Sequence, residues 1–448
     1  EIHAYLVTKE KLFCRCKSSR ERGLQPNIYI CPICCGMPGA KPMAPNISAI
    51  EKAVQIALLL GCKVNSNMPW MRKHYDWPDL PKGYQNTMSG PHATPLGVNG
   101  NFEGITIESM HMEEDPAAWD PKTGEVDYNR SGLPLVEIVT APEFKTADEV
   151  YVWVNKLVHA LSYLKAVDTN AGVKADVNVS LTDDDGKQKT ERVEIKNITS
   201  IDAMKSAILF EFERQSKEGS VRETRRFDEA KGVTMRMRGK EQADDYRFIV
   251  DPDLRSVILS EKFIVAQKKL VPELPSVKLD KLIKKYKVGE KDASVLAKDV
   301  DVVNFFEEVA KHIDGKFALP WITVELLRVL NYNNKKLSDV SIAVEHFVKL
   351  LKMVDSEKIT ESQAKQILNK FVPASFDSTP NVESKISSEK ELEPIVKRVI
   401  NDNSKAVLEC RNGDIKAFNF LIGEVMRATN RRADSAVTRK LIDKALGK

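Results

Sequence analysis

Hydrophobic positions in the first part of the chain recur with two different periods. In "NISAIEKAVQIALLLG" (Asn46 to Gly61) apolar residues fall at helical spacing, with Asn at the N-cap and Gly just past the end. "TADEVYVWVNKLVHALSYL" (Thr146 to Leu164) opens with a capping box of Thr146 and Glu149, then repeats Val150, Trp153, Val154, Leu157, Val158 and Leu161 on one stripe. Period-two alternation marks strands in "EIHAYLVT" at the start, "KADVNVSL" (Lys174 to Leu181) and "RVEIKNI" (Arg192 to Ile198). After "VPELPSV" (Val271 to Val277) the strand signals stop and Lys-rich helical patterns take over. A Pro/Ser/Asn stretch from Val372 to Ser388 reads as a linker. Beyond it Leu392, Ile395, Val396, Val399 and Ile400, and again Phe418, Leu421, Ile422, Val425 and Met426, line helix faces.

These patterns predict an α+β protein: a large mixed α/β domain over residues 1–275, an all-helical domain over 276–372, a linker over 373–388 and a small helical tail domain over 389–448. The composition is that of a water-soluble chain, 42% hydrophobic and 29% charged. No apolar run reaches the roughly 18 residues that span a bilayer. Seven cysteines, an odd number in a long chain, argue against a disulfide framework and for a reducing compartment.

Five of those cysteines lie between Lys11 and Pro42. Cys14 and Cys16 form C-x-C, Cys31 and Cys34 form C-x-x-C, and 14 residues separate the pairs. Two such knuckles can close a tetrahedral zinc site with no open position, which makes the role structural; the competing explanation is a chance cluster of reduced thiols. Cys35 and Cys62 read as packing residues.

Charge changes the picture at the far end. Residues 411–448 carry nine Lys/Arg against four Asp/Glu, while the whole chain is only +4. A basic tail points to a polyanion such as nucleic acid, or to an ordinary solvated helix surface.

The first domain has no phosphate-binding Gly-rich loop and no serine-nucleophile elbow. It does place acids where burial makes them costly. "ESMHMEED" (Glu108 to Asp115) surrounds His111 with carboxylates, and Glu137 shares a strand face with Leu135 and Val139. Glu1 and His3 share a face of the first strand. Oxygen-rich groups of this kind suit Mg²⁺, or else salt bridges to nearby Arg and Lys.

Several blocks together resemble one family. "EIHAYLVTKEKLFC", "NIYICPICCGMPGAKP", "HMEED", "VDYNRSGLPLVEIVTAPE", "VEIKNITS", "ETRRFDEAKG" and "DPDL" occur in the order found in the B subunit of the aminoacyl-tRNA amidotransferases. The tail "GDIKAFNFLIGEVMRATNRRADS" resembles that family's YqeY-like domain. The resemblance implies a catalytic cradle that binds mischarged tRNA and uses ATP and Mg²⁺ to phosphorylate the side-chain carboxylate of glutamyl-tRNA(Gln). Ammonia would then be supplied by a separate amidase subunit, with a small third subunit stabilising the complex. It implies a magnesium cluster at Glu1, His3, Glu114 and Glu137, structural zinc on the four cysteines, and Arg130, Asp176, Asn178, Lys196 and Asn197 lining the cradle around ATP and the aminoacyl end. The basic residues Arg427, Arg431, Arg432, Arg439 and Lys440 would grip tRNA.

Three stretches depart from the family pattern: Tyr246 to Asp253 reads YRFIVDPD, Lys174 to Asn178 reads KADVN, and Asn86 to Gly104 also strays from it. The drift is expected of an organellar, mitochondrial-matrix relative, such as a fungal one, with a bacterial cytoplasmic protein as the alternative. A zinc-stabilised tRNA-binding protein that has lost catalysis is the competing functional class; carboxylates at Glu114 and Glu137 speak against it, since they repel phosphate.

Overall fold

The computed structural model describes residues 1–21, 23–168, 174–183, 185–239, 246–379, 383–412 and 414–447. They form two compact units, Glu1–Pro275 and Ser276–Lys448. The architecture is mixed α/β in the first unit and helical in the second. No helix among the described residues is long and apolar enough to cross a membrane.

One twelve-stranded sheet dominates the first unit. In chain order its strands are β1 (Ile2–Tyr5), β2 (Lys63–Val64), β3 (Met71–His74), β4 (Tyr84–Thr87), β5 (Gly97–Phe102), β6 (Ile105–Glu114), β7 (Pro134–Thr140), β8 (Lys174–Val179), β9 (Val193–Ile198), β10 (Glu223–Asp228), β11 (Val233–Gly239) and β12 (Ile249–Val250). The main path runs β11-β10-β9-β8-β1-β7-β6-β4-β3-β12, with β5 paired to β6 and β2 to β5. The β9–β10 pair is parallel and the other pairs in the sheet are antiparallel. Strand β1 is therefore central, bonded to β7 on one side and β8 on the other.

Alternation along these strands separates two faces. Ile2 and Ala4 of β1, Val136 and Ile138 of β7, and Met110 and Met112 of β6 join the core. Helices α1 (Ile47–Leu59), α2 (Ala147–Leu164) and α3 (Ile201–Glu218) contribute their apolar stripes to the same core. Both expected caps of the first two helices are made: the Asn46 side chain accepts from Ser48 N, and Thr146 and Glu149 form the capping box. Trp153 of α2 anchors this layer, donating its indole N–H to Phe102 O at 2.8 Å with the Phe102 and Phe144 rings edge-on to it. Truncating a buried tryptophan to alanine costs about 3–5 kcal/mol. The opposite face of the central strands carries His3 and Tyr5 of β1, Leu135 and Glu137 of β7, and His111 and Glu113 of β6.

In the second unit the helices between Pro275–Tyr286 and Glu361–Asn369 share one core around Phe306, Phe347 and Phe371. The four helices Glu389–Asp402, Ser404–Arg411, Ile415–Ala428 and Ser435–Leu446 share another, around Leu392, Leu421 and Ile442. Of the stretch read as a linker, residues 380–382 lie outside the described residues, and the part from Glu383 to Ile386 is tied down. Lys385 pairs with Glu357 at 3.0 Å and with Asp434 at 2.7 Å, Gln363 Nε2 donates to Glu383 O, and Ile386 exchanges backbone bonds with Arg432 and Asp434. Its Pro/Ser composition removes helix propensity, but polar side chains and free backbone groups still find partners.

Candidate functional site

The polar face of the sheet is built by register. His3 stands opposite Glu137 on β7 and opposite Lys174 on β8, and Glu137 stands opposite His111 on β6. One side-chain period along β6 places Glu113 beside His111 on the same face. The result is a compact group: His3 Nε2 lies 3.7 Å from Glu113 Oε1 and 3.7 Å from Glu137 Oε2, and His111 Nε2 lies 2.7 Å from Glu137 Oε2. His3, Glu113 and Glu137 present ligand atoms within 4.8 Å of one another.

Electrostatics favour a cation there. Burial pushes the Glu137 carboxyl up, but the His111 hydrogen bond and the charges of His111 and His3 outweigh it and hold it well below the usual carboxylate range. Burial and the neighbouring Glu137 push the Glu113 carboxyl up. Burial pulls the His111 imidazole down, while Glu137 more than reverses this. Two enclosed carboxylates against imidazoles, with no Lys or Arg ion pair to either among the described residues, fit a divalent cation that prefers a few carboxylates and otherwise water or phosphate oxygens.

The residues expected to hold magnesium are not all brought together. Glu114 is turned to the other face by the strand period, where it pairs with Lys82 and accepts from Asn86 N at 3.0 Å; Glu113 holds the place expected for it. Glu1 sits one group further along, where it joins Asp176 and Glu194. In that second group Lys196 Nζ bridges Asp176 at 2.8 Å and Glu194 at 3.0 Å, and Asn178 Nδ2 lies 3.4 Å from Glu1 Oε1. Burial works against the Lys196 ammonium, but the two carboxylates raise it well above the usual lysine range. Asp176, Asn178 and Lys196 are thus gathered on the same face as His3. The side chain of Asn197 lies outside the described residues. Arg130 is set further toward Tyr5: its Nε donates to Pro116 O at 2.9 Å and lies 3.3 Å from Asp115 Oδ2.

Sequence reasoning missed Glu113 and Lys82. The signal for Glu113 was present, because only the first glutamate of "HMEED" has the parity of His111. Lys82 comes from a turn and carries no such mark.

The four knuckle cysteines converge. The Sγ atoms of Cys14, Cys16, Cys31 and Cys34 lie within 4.8 Å of one another, with Cys34 at 4.0 Å from Cys16 and 3.9 Å from Cys31. Tetrahedral zinc, with Zn–S of about 2.3 Å, sets sulfurs about 3.8 Å apart. The Cys31 amide donates to Cys34 Sγ at 3.2 Å. The Cys34 thiol is pulled down to about 4, first by the hydrogen bond from Cys14 and then, against burial, by the Lys11 ammonium. These residues fit a structural metal. The turn depends on Gly36, whose φ of +64° favours glycine and whose Cβ, if present, would run into the Pro81 carbonyl. Cys35 is half-buried, and Cys62 and Cys410 are buried in their respective cores.

The basic residues of the tail are mostly engaged. Arg427 pairs with Glu424, Lys440 with Glu389 and Arg432 with Glu383; Arg431 Nη1 donates to Ser362 Oγ at 3.3 Å. Arg439 lies over the Phe418 ring at 5.6 Å. Arg431 and Arg432 serve the contact between tail and preceding helices, while Arg427, Arg439 and Lys440 stay on the tail's own surface.

The chain resembles known proteins along its length. Residues 1–265 match the family described as the GatB/GatE catalytic domain, and residues 304–446 match the GatB domain. The chain is 40% identical over 466 residues to the B subunit of the aspartyl/glutamyl-tRNA(Asn/Gln) amidotransferase of Methanocaldococcus jannaschii, covering 100% of this chain and 97% of that protein. It is 40% identical over 453 residues to the corresponding protein of Methanothermobacter thermautotrophicus, covering 99% and 98%. That of Methanobrevibacter smithii is 39% identical over 453 residues, covering 99% and 98%. All three are archaeal, so they do not show the mitochondrial or fungal origin expected from the drifted blocks. With both of its parts matched and these relatives aligned along its length, the chain belongs to the GatB/GatE family.

Proposed function

We propose that this chain is the B subunit of a tRNA-dependent amidotransferase, a carbon–nitrogen ligase that works with a partner amidase. Its substrate is mischarged tRNA, which we take to be glutamyl-tRNA(Gln). The side-chain carboxylate oxygen attacks the γ-phosphorus of ATP, ADP leaves, ammonia adds to the acyl phosphate carbonyl, and inorganic phosphate departs from the amide product. The observation that carries this reading is the group His3, Glu113 and Glu137 on a sheet face that also holds Lys196 and Lys174. The printed names of the archaeal relatives support it.

Phosphoryl transfer asks for positioning and charge neutralisation more than for a covalent nucleophile. Magnesium, when bound at His3, Glu113 and Glu137, would neutralise and align phosphate oxygens. His111 keeps Glu137 ionised and oriented through its 2.7 Å contact. Lys196, fixed by Asp176 and Glu194, keeps a full positive charge on the same face. Zinc on the four cysteines would lock the knuckle beside the sheet. The amidase subunit delivers the ammonia, and a small third subunit stabilises the complex.

The test is to assemble the chain with its amidase partner and third subunit, then supply glutamyl-tRNA and ATP. ADP, phosphate and glutaminyl-tRNA should form together, and only with the mischarged tRNA present. Tight tRNA binding with no tRNA-dependent ATP turnover would instead establish the zinc-stabilised binding protein. Ammonia released from glutamine by the isolated chain would overturn the division of labour.

A further inference from the structure

The Tyr5 end of the polar face gathers positive charge that its acids do not use up. Arg20 lies over the Tyr5 ring, its guanidinium carbon 3.5 Å from the centroid. Lys174 Nζ approaches the Tyr5 hydroxyl at 3.4 Å. That hydroxyl donates to Asp115 Oδ2 at 2.9 Å, and Arg130 faces the same oxygen at 3.3 Å. Arg130 is committed to Asp115, to the carbonyls of Pro116 and Ala117, and to nearby Asp79. Arg20 and Lys174 have no carboxylate within ion-pair distance among the described residues. Most telling is Arg20 Nη1, which is buried and has no hydrogen-bond partner. A buried guanidinium nitrogen without an acceptor is unfavourable, and its natural acceptors are phosphate or carboxylate oxygens.

Arg20 reaches this place from the cysteine knuckle. It follows Cys16 by four residues, two past the end of a hairpin closed by Lys11 N to Cys16 O and Ser18 N to Lys9 O, each at 3.0 Å. The Cys34 carbonyl accepts from Ser131 Oγ at 2.7 Å, next to Arg130. Tyr5 shares the face of His3, about 7 Å away along the strand.

We propose that Arg20, Lys174 and Tyr5 form an oxyanion subsite that receives one phosphate group, and that the metal knuckle positions Arg20 in it. A phosphate presents oxygens in several directions and can meet Arg20 and Lys174 from both flanks of the ring, which a planar carboxylate does less well. The phosphate belongs either to the nucleotide or to the acceptor end of tRNA, a choice of sources that rests on the proposed function.

Inorganic phosphate is the probe, titrated into the full chain within its complex and followed by phosphorus NMR or calorimetry. Saturable binding is expected. Arg20→Met and Lys174→Met should each weaken it by about tenfold to a hundredfold, the value of a charge-assisted hydrogen bond. Arg20→Lys should retain most of it. Cys31→Ser should weaken binding as much as Arg20→Met, and the double variant no more than either. If Arg20→Met disturbs folding, Lys174→Met on its exposed strand end decides the matter. No saturable phosphate binding, or unchanged affinity in Lys174→Met, would overturn the subsite; full affinity in Cys31→Ser would overturn the knuckle's part in it. Displacement of phosphate by ATP alone assigns the nucleotide, displacement by uncharged tRNA alone assigns the acceptor end, and displacement by neither overturns a substrate role. Phosphate binding lost in these variants while the complex shows no amidotransferase activity would leave the subsite standing and remove only the proposed function.

Discussion

Glu113 and Glu114 are neighbours in the chain but stand on opposite faces of strand β6, the first beside His3 and the second paired with Lys82. Replacing each with glutamine should therefore give different defects. Glu113→Gln, like Glu137→Gln, should lower tRNA-dependent ATP turnover by about a hundredfold or more, as expected when charge stabilisation of a transferring group is lost. Its magnesium titration should shift to higher concentration. Glu114→Gln should leave that titration in place and instead cost about 3 kcal/mol of stability, because an enclosed Lys82 loses its counter-charge. Equal magnesium midpoints for Glu113→Gln and the unmodified protein would remove Glu113 from the cation group.

A pH effect is expected from helix α3. Burial pushes the fully enclosed Glu211 carboxyl up, but hydrogen bonds from Arg214, Thr234 and Gln215 hold it below its ordinary value of 4.5. An acid lowered in the folded state adds stability that is complete above its unfolded pKa and is lost as pH falls through the folded one. The urea midpoint should decline as pH drops below about 4.5, and Glu211→Gln should flatten that decline. At neutral pH the variant should lose about 3 kcal/mol, since Arg214 and Arg225 keep only Glu223 between them and Arg214 a long 4.0 Å pair with the exposed Glu218. A variant with the parent's acid limb would assign the decline to other carboxylates.

Cys31→Ser should release the knuckle metal. Elemental analysis of protein prepared with reductant should show one zinc per chain in the parent and none in the variant. Thermal unfolding should come several degrees earlier, and the magnesium titration of the His3 group should be preserved. Zinc absent from the parent would reduce the cluster to packed thiols.

The tail separates two kinds of arginine. Arg432→Ala breaks the pair with Glu383 and the bond to the Ser384 carbonyl, so it should loosen the tail and raise proteolysis between residues 383 and 388. Arg427, Arg439 and Lys440 changed together to alanine should weaken tRNA binding and lower its salt slope by about two to three, one for each phosphate that is no longer neutralised. Unchanged affinity and slope in the triple variant would make those charges ordinary surface.

Much of the framework was legible in the sequence because it rests on local rules. The Asn46 and Thr146 caps, the period-two strands and the paired cysteines each need only a few neighbouring residues, and the structure bears out the resulting α/β and helical architecture. Glu1, His3, Glu114 and Glu137 were all placed by the family pattern; His3 and Glu137 do meet, while strand parity turns Glu114 to the other face and Glu1 joins Asp176 and Glu194. The contacts of Arg20 and Lys82 depend on loops folding back over distant strands, which no periodicity encodes. The tail's charge was counted correctly, but a count does not reveal that Arg432 is spent on Glu383.

The central place of β1 has a consequence for how the protein is made. Its two partners, β7 and β8, begin at Pro134 and Lys174, so β1 must wait until the chain beyond Lys174 has been made before both its edges are covered. The knuckle waits too, because Cys34 is fastened by Ser131 and Leu12 by Gly132. Until then the nascent chain exposes an unpaired strand and a set of reactive thiols, the conditions under which slow, non-local sheets aggregate. Synthesis rate, chaperone supply and zinc availability during translation should therefore govern the yield of active protein more strongly than the stability of the finished fold.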